Sequence, residues 1–92
     1  MIGRHLRITG RVQRVGYRYW FLTRAEALGL TGWVRNRVDG SVEAVIQGVD
    51  AAVAHMIADA GHGPTLAQVD LVLPRDQPID PALTRFEQRP TC

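Results

Sequence analysis

The chain has 92 residues, 46% of them hydrophobic and 22% charged, with a formal net charge of +2. That length and balance predict one folded domain over residues 1–92 and exclude a disordered chain. No apolar run approaches the roughly 18 residues that a membrane helix needs, and charges interrupt the first ten residues where a signal segment would be apolar, so no membrane partner is expected and the predicted location is cytoplasmic.

Leu6, Ile8 and Val12 alternate with Arg7, Thr9 and Arg11, which predicts a first strand with one buried face. After a short loop, Tyr17, Phe21, Ala25 and Leu28 recur at helical spacing, so a first helix is predicted over about 18–28, closed by Gly29 as a left-handed cap. Trp33 to Val38, the pair Asp39-Gly40, and Ser41 to Gln47 read as a hairpin with a tight two-residue turn. Asp50 is the expected N-cap of a second helix, with Val53, Met56, Ile57 and Ala60 on one face and Gly61-His62-Gly63-Pro64 ending it. Ala67, Val69, Leu71 and Leu73 alternate with Gln68, Asp70 and Val72 in a fourth strand that Pro74 should stop, and a short last strand around Arg85 to Gln88 adds an edge. Strand, helix, strand, strand, helix, strand is most economically an α+β, ferredoxin-like split βαβ sandwich: an antiparallel sheet of four to five strands with both helices on one face.

All eleven basic residues are arginine. Residues 1 to 37 hold eight of them against Glu26 alone, whereas residues 38 to 92 hold three against eight acids, so the front half is expected to face an anion. A net charge of only +2 favours a local site for a small anion over an extended nucleic-acid surface. Within that half, Gly10 to Trp20 pass from strand through a tight loop into a helix. The first turn of a helix has N–H groups without intrahelical partners and a partial positive charge, which together cradle an anion, and Arg18 adds a full charge there. Strand parity puts Asn36 on the apolar row of Val34 and Val38, where an unpartnered amide costs roughly 1–3 kcal/mol. Taken singly, Arg18 is compatible with a solvated helix start and Asn36 with a local backbone bond. The only cysteine is Cys92, and His5, His55 and His62 lack recognisable partners and read as surface residues, so no covalent nucleophile, metal site or cofactor is expected.

The strings GRVQRVGYR, AEALGLTGWVRN, DGSVEAVIQG and GPTLAQVD, in this order over about residues 8 to 72, closely resemble the acylphosphatase family. The resemblance implies an enzyme that hydrolyses the carboxyl–phosphate anhydride of acyl phosphates to carboxylate and inorganic phosphate without a metal. It implies Arg18 and Asn36 as catalytic residues, the first gripping the phosphoryl group and the second placing the attacking water. It also implies that the backbone of Arg14, Val15, Gly16, Tyr17 and Arg18 binds the phosphate, which would act as a competitive inhibitor as well as a product; separately, the chain is expected to be a monomer. Arg14 stands where the family pattern has glycine, and a positive φ there would cost on the order of 1–2 kcal/mol. Two other readings compete. A non-catalytic phosphate-binding accessory domain would share the cradle, and an RNA-binding module of the same fold would need stacking aromatics that Ser41 to Gln47 lack.

Overall fold

The computed structural model describes residues Met1–Cys92. Its elements run β1 (Ile2–Arg11), α1 (Tyr17–Ala27), β2 (Thr31–Asn36), β3 (Val42–Gly48), α2 (Asp50–Ala60), β4 (Gln68–Asp76) and β5 (Phe86–Gln88). The five strands form one sheet in the order β4-β1-β3-β2-β5. Helix α1 packs on β2 and β5 and α2 on β1 and β3, giving the expected two-layer split βαβ arrangement. Four strands are antiparallel neighbours, while β5 runs parallel to β2, which makes the sheet mixed.

The core lies between the layers. Leu6 and Ile8 of β1, Val34 of β2, Val42, Ala44 and Ile46 of β3, and Phe86 of β5 meet Tyr17, Phe21 and Ala25 of α1 and Val53, Met56 and Ala60 of α2. Strand β3 is buried along its whole length because it is central and because its outer face is covered too. There, Gln47 and Asp80 exchange two hydrogen bonds, Gln47 Nε2 to Asp80 O at 2.8 Å and Asp80 N to Gln47 Oε1 at 3.0 Å, which folds the β4–β5 connection over the sheet. No helix is long and apolar enough to cross a membrane.

Four local expectations are corrected. The β2–β3 turn is not a two-residue turn at Asp39-Gly40: Gly40 N–H bonds Arg37 O at 3.1 Å, Arg37 N–H bonds Ser41 O at 2.8 Å, and Gly40 carries φ 95° as the bulge residue. Central positions therefore fall on Val38 and Asp39, so Val38 leaves the apolar row and is 88% exposed. Asp50 is the first helical residue of α2 rather than its cap; extended Val49 precedes the helix, and no side chain caps it. In β4 the alternation is broken between Thr9 and Gly10 of β1, where Asp70 is passed over. That bulge swaps faces: Val69 and Val72 pack on the core while Leu71 and Leu73 are half exposed on the open face. Finally, Pro74 does not stop β4, because an edge strand has one side with no ladder partner to donate to.

Candidate active site

β1, β2 and β5 all run the same way, because β1 and β2 are each antiparallel to β3 and β5 is parallel to β2. Their carboxyl ends meet the loop that enters α1. There a pocket of about 140 Å³ is lined by Val12, Arg14, Gly16, Tyr17, Arg18, Tyr19, Asn36 and Gln88, with no acidic residue among them.

The loop owes its shape to two left-handed residues, Arg14 at φ 62° and Gly16 at φ 81°. Gly16 takes that conformation without a Cβ penalty and stands at the cap of α1, followed by right-handed helix. A left-handed residue next to a right-handed one turns successive N–H groups toward a common concavity. Arg14 is the one non-glycine residue with positive φ, a strain worth on the order of 1–2 kcal/mol. None of the backbone N–H groups of residues 14 to 19 donates a hydrogen bond within the chain. Gln13 anchors the loop: its Nε2 donates to Arg37 O and Ser41 O, both at 2.8 Å, tying the cradle to the turn that follows Asn36.

Asn36 is the last residue of β2. Its backbone is held on both sides, by pairing with Val42 and by Cys92 N–H, which donates to Asn36 O at 3.1 Å. Its side-chain Oδ1 is buried and has no hydrogen-bond partner. Arg18 is half-buried. No carboxylate lies within 4.0 Å of Arg18 or Arg14, in contrast to Arg7, Arg24, Arg35 and Arg37. A strained loop, unengaged amides, an unpaired guanidinium and an orphaned amide oxygen are therefore brought to one pocket.

Not every expected site residue lines it. Val15 packs against the core, so only its amide is available. Tyr17 lines the pocket with little of its surface. Its ring is 1% exposed and its hydroxyl donates to Ala60 O at 2.7 Å, and burial pushes the phenol pKa up. Sequence reading missed Val12, Tyr19 and Gln88. Tyr19, next to Arg18 and 66% exposed, carried a signal as an aromatic on the polar side of α1, whereas Gln88 carried none, because nothing in the sequence says that β5 pairs beside β2.

A second polar centre lies on the face of the sheet opposite the helices. Glu43, its side chain 7% exposed, accepts from His5 Nε2 at 2.7 Å, Arg35 Nε at 2.6 Å and Arg37 at 2.9 Å. Burial raises the Glu43 pKa, but these three hydrogen bonds outweigh it and hold the carboxyl down at about 2. His5, expected as a surface residue without a partner, is thus part of a buried ion cluster. On the same face the guanidiniums of Arg35 and Arg89 stack on Trp33 at 4.6 and 4.9 Å. No three side chains of His, Cys, Asp or Glu converge as metal ligands anywhere in the chain.

The acylphosphatase family model matches residues 4–88. The chain is 47% identical over 92 residues to an acylphosphatase of Acidiphilium cryptum, covering 99% of both chains. It is 56% identical over 70 residues to one of Rhodopseudomonas palustris, covering 76% of this chain and 71% of that one. Among solved structures, the acylphosphatase of Bacillus subtilis superposes with a TM-score of 0.92 at 29% identity, covering 97% of this chain and 99% of the other. Agreement in sequence from Arg4 to Gln88 and in backbone along nearly the whole length places the chain in the acylphosphatase family.

Proposed function

We propose that the chain hydrolyses acyl phosphates, with Arg18 and the amides of Arg14, Val15, Gly16, Tyr17 and Arg18 gripping the phosphoryl group and Asn36 holding the attacking water. Family membership supports the reaction class. The observation that carries the assignment of roles is the meeting, in one acid-free pocket, of an unpaired Arg18 with the buried, unpartnered Oδ1 of Asn36.

The chemistry asks for little more. The departing carboxylate is a stable anion, so a general acid is unnecessary. The water oxygen bonds to phosphorus while the bond from phosphorus to the acyl oxygen breaks and leaves its electron pair on the carboxylate. One water proton stays on the new P–OH and the other passes to a phosphoryl oxygen, so a dianionic substrate gives RCOO⁻ and H₂PO₄⁻. Asn36 is no base, but Oδ1 can accept from the water and orient its lone pair in line. Arg18 and the amides stabilise the equatorial oxygens, where removal of one such donor typically costs about 2.7–4 kcal/mol.

This reading needs no metal or cofactor, makes inorganic phosphate a competitive inhibitor, and is complete within one cytoplasmic monomer whose partner is the small-molecule substrate. The test is hydrolysis of benzoyl phosphate in EDTA with and without added phosphate. Turnover that persists in EDTA and is competitively inhibited by phosphate is expected. Absence of turnover with phosphate still bound would instead favour an accessory phosphate-binding domain.

A further inference from the structure

We propose that Arg14 forms a second anion subsite at the mouth of the pocket, which selects acyl phosphates whose acyl group carries its own carboxylate over those whose acyl group is neutral. The inference rests on the acyl-phosphate reading and adds the substrate class.

Three observations carry it. Arg14 lines the same pocket as Arg18 and Asn36, yet it is exposed, with neither an ion pair nor a side-chain hydrogen bond to the rest of the chain. Five other arginines of this front half are engaged, Arg4 with Asp76, Arg7 with Asp39, Arg24 with Asp59, and Arg35 and Arg37 with Glu43, whereas Arg11, also without an ion pair, does not line the pocket. No acid lines the pocket, so two guanidiniums face one small opening without compensation. The phosphoryl group accounts for one of them, since Arg18 stands on the first turn of α1 beside the unengaged amides. Arg14 stands two residues before the cap of α1, in a left-handed conformation that a side chain tolerates poorly. Its positive charge is therefore surplus to the phosphoryl group. In-line attack sends the leaving acyl group away from the water, toward the open side of the pocket, where Arg14 and exposed Tyr19 and Gln88 form the rim. A carboxylate on that acyl group meets an exposed guanidinium in wet surroundings, which is worth about fivefold in kcat/KM.

The experiment compares succinyl phosphate with butyryl phosphate, matched in chain length and differing in the terminal carboxylate, on the native chain and on Arg14→Gly and Arg14→Gln. Glycine suits the positive φ, and glutamine keeps the side-chain reach without the charge. The native chain is expected to prefer succinyl phosphate by about fivefold, less at 0.5 M salt than at 0.05 M, and both variants should lose that preference. Their affinity for inorganic phosphate should fall less than the preference does. An unchanged succinyl-to-butyryl ratio in both variants would overturn the subsite, as would a loss of phosphate affinity equal to the loss of preference, which would mean that Arg14 grips the phosphoryl group itself. Failure of the native chain to hydrolyse either compound would overturn the acyl-phosphate reading and this inference with it.

Discussion

Asn36→Ala separates the catalytic reading from a structural one more sharply than any other substitution, because the two predict opposite signs for stability. In the native chain Oδ1 is buried without a partner, so it contributes a desolvation cost and no compensating bond. An orphaned buried polar atom costs about 1–3 kcal/mol, against which alanine loses only a few side-chain contacts. The strand itself should not suffer, since the pairing with Val42 and the bond from Cys92 N–H are both made by the backbone of residue 36. The variant is therefore expected to be as stable as the parent or up to about 1 kcal/mol more stable, a rise of up to roughly 4–8 °C in Tm for a chain of this size. Turnover should move the other way: losing the group that orients the water is expected to lower kcat about 10²-fold or more, with inhibition by phosphate nearly unchanged. Thermal unfolding and benzoyl phosphate hydrolysis on the same preparation test both halves. A variant destabilised by 2 kcal/mol with native kcat would refute the reasoning outright, because Asn36 would then be a structural residue with a bond of its own.

Arg18→Ala should leave the fold intact, since the guanidinium has no carboxylate partner to lose, while kcat/KM falls at least ~10²-fold and phosphate no longer inhibits; calorimetric titration with phosphate measures the second effect directly. Gln13→Leu removes the donor to Arg37 O and Ser41 O and is expected to cost about 1–2 kcal/mol in urea unfolding and to lower kcat/KM by loosening the loop against the turn after Asn36. Acid stability should depend on Glu43. Its folded pKa of about 2 lies below its ordinary value of 4.5, so its contribution is fully present above about pH 4.5 and is lost as pH falls toward 2. The size is on the order of 3 kcal/mol, and Glu43→Gln should flatten the stability profile across that window; a variant with the parent's acid limb would show that the cluster contributes nothing.

The fold was legible where one period dominates. Helical spacing in Tyr17, Phe21 and Ala25 and in Val53, Met56 and Ala60 named the buried faces of both helices. Alternation in Leu6 and Ile8 named the inner face of β1. What misled was continuity. Leu71 and Leu73 look like an extension of the row begun by Ala67 and Val69, yet the bulge opposite Thr9 and Gly10 sends them outward, and a bulge is fixed by how two strands pair, which neither strand announces alone. The direction of β5 was equally invisible: three residues carry no period that says which neighbour they join or which way they run.

Asn36 and His5 show why one site could be read and the other could not. Both are polar residues on strands with a known parity, and both end up largely enclosed. Asn36 was conspicuous because it shares a face with Val34, so that a buried amide there raises the question of its partner, and its Oδ1 has none within the chain. His5 shares its face with Arg7, which reads as solvent. Its enclosure comes from β3 standing at the centre of the sheet, where Glu43 pairs opposite Arg7 and Arg35 and is covered by arms from both sides. A strand's parity tells which side a residue faces, whereas the strand order decides whether that side is open. The same distinction bears on Gln88, which reaches the pocket only because β5 is the strand beside β2. Arg14, Gly16 and Arg18 reach the pocket through one loop and one helix start and can be read locally in the sequence, whereas Asn36 and Gln88 are brought to it by strand order, which only the assembled sheet reveals.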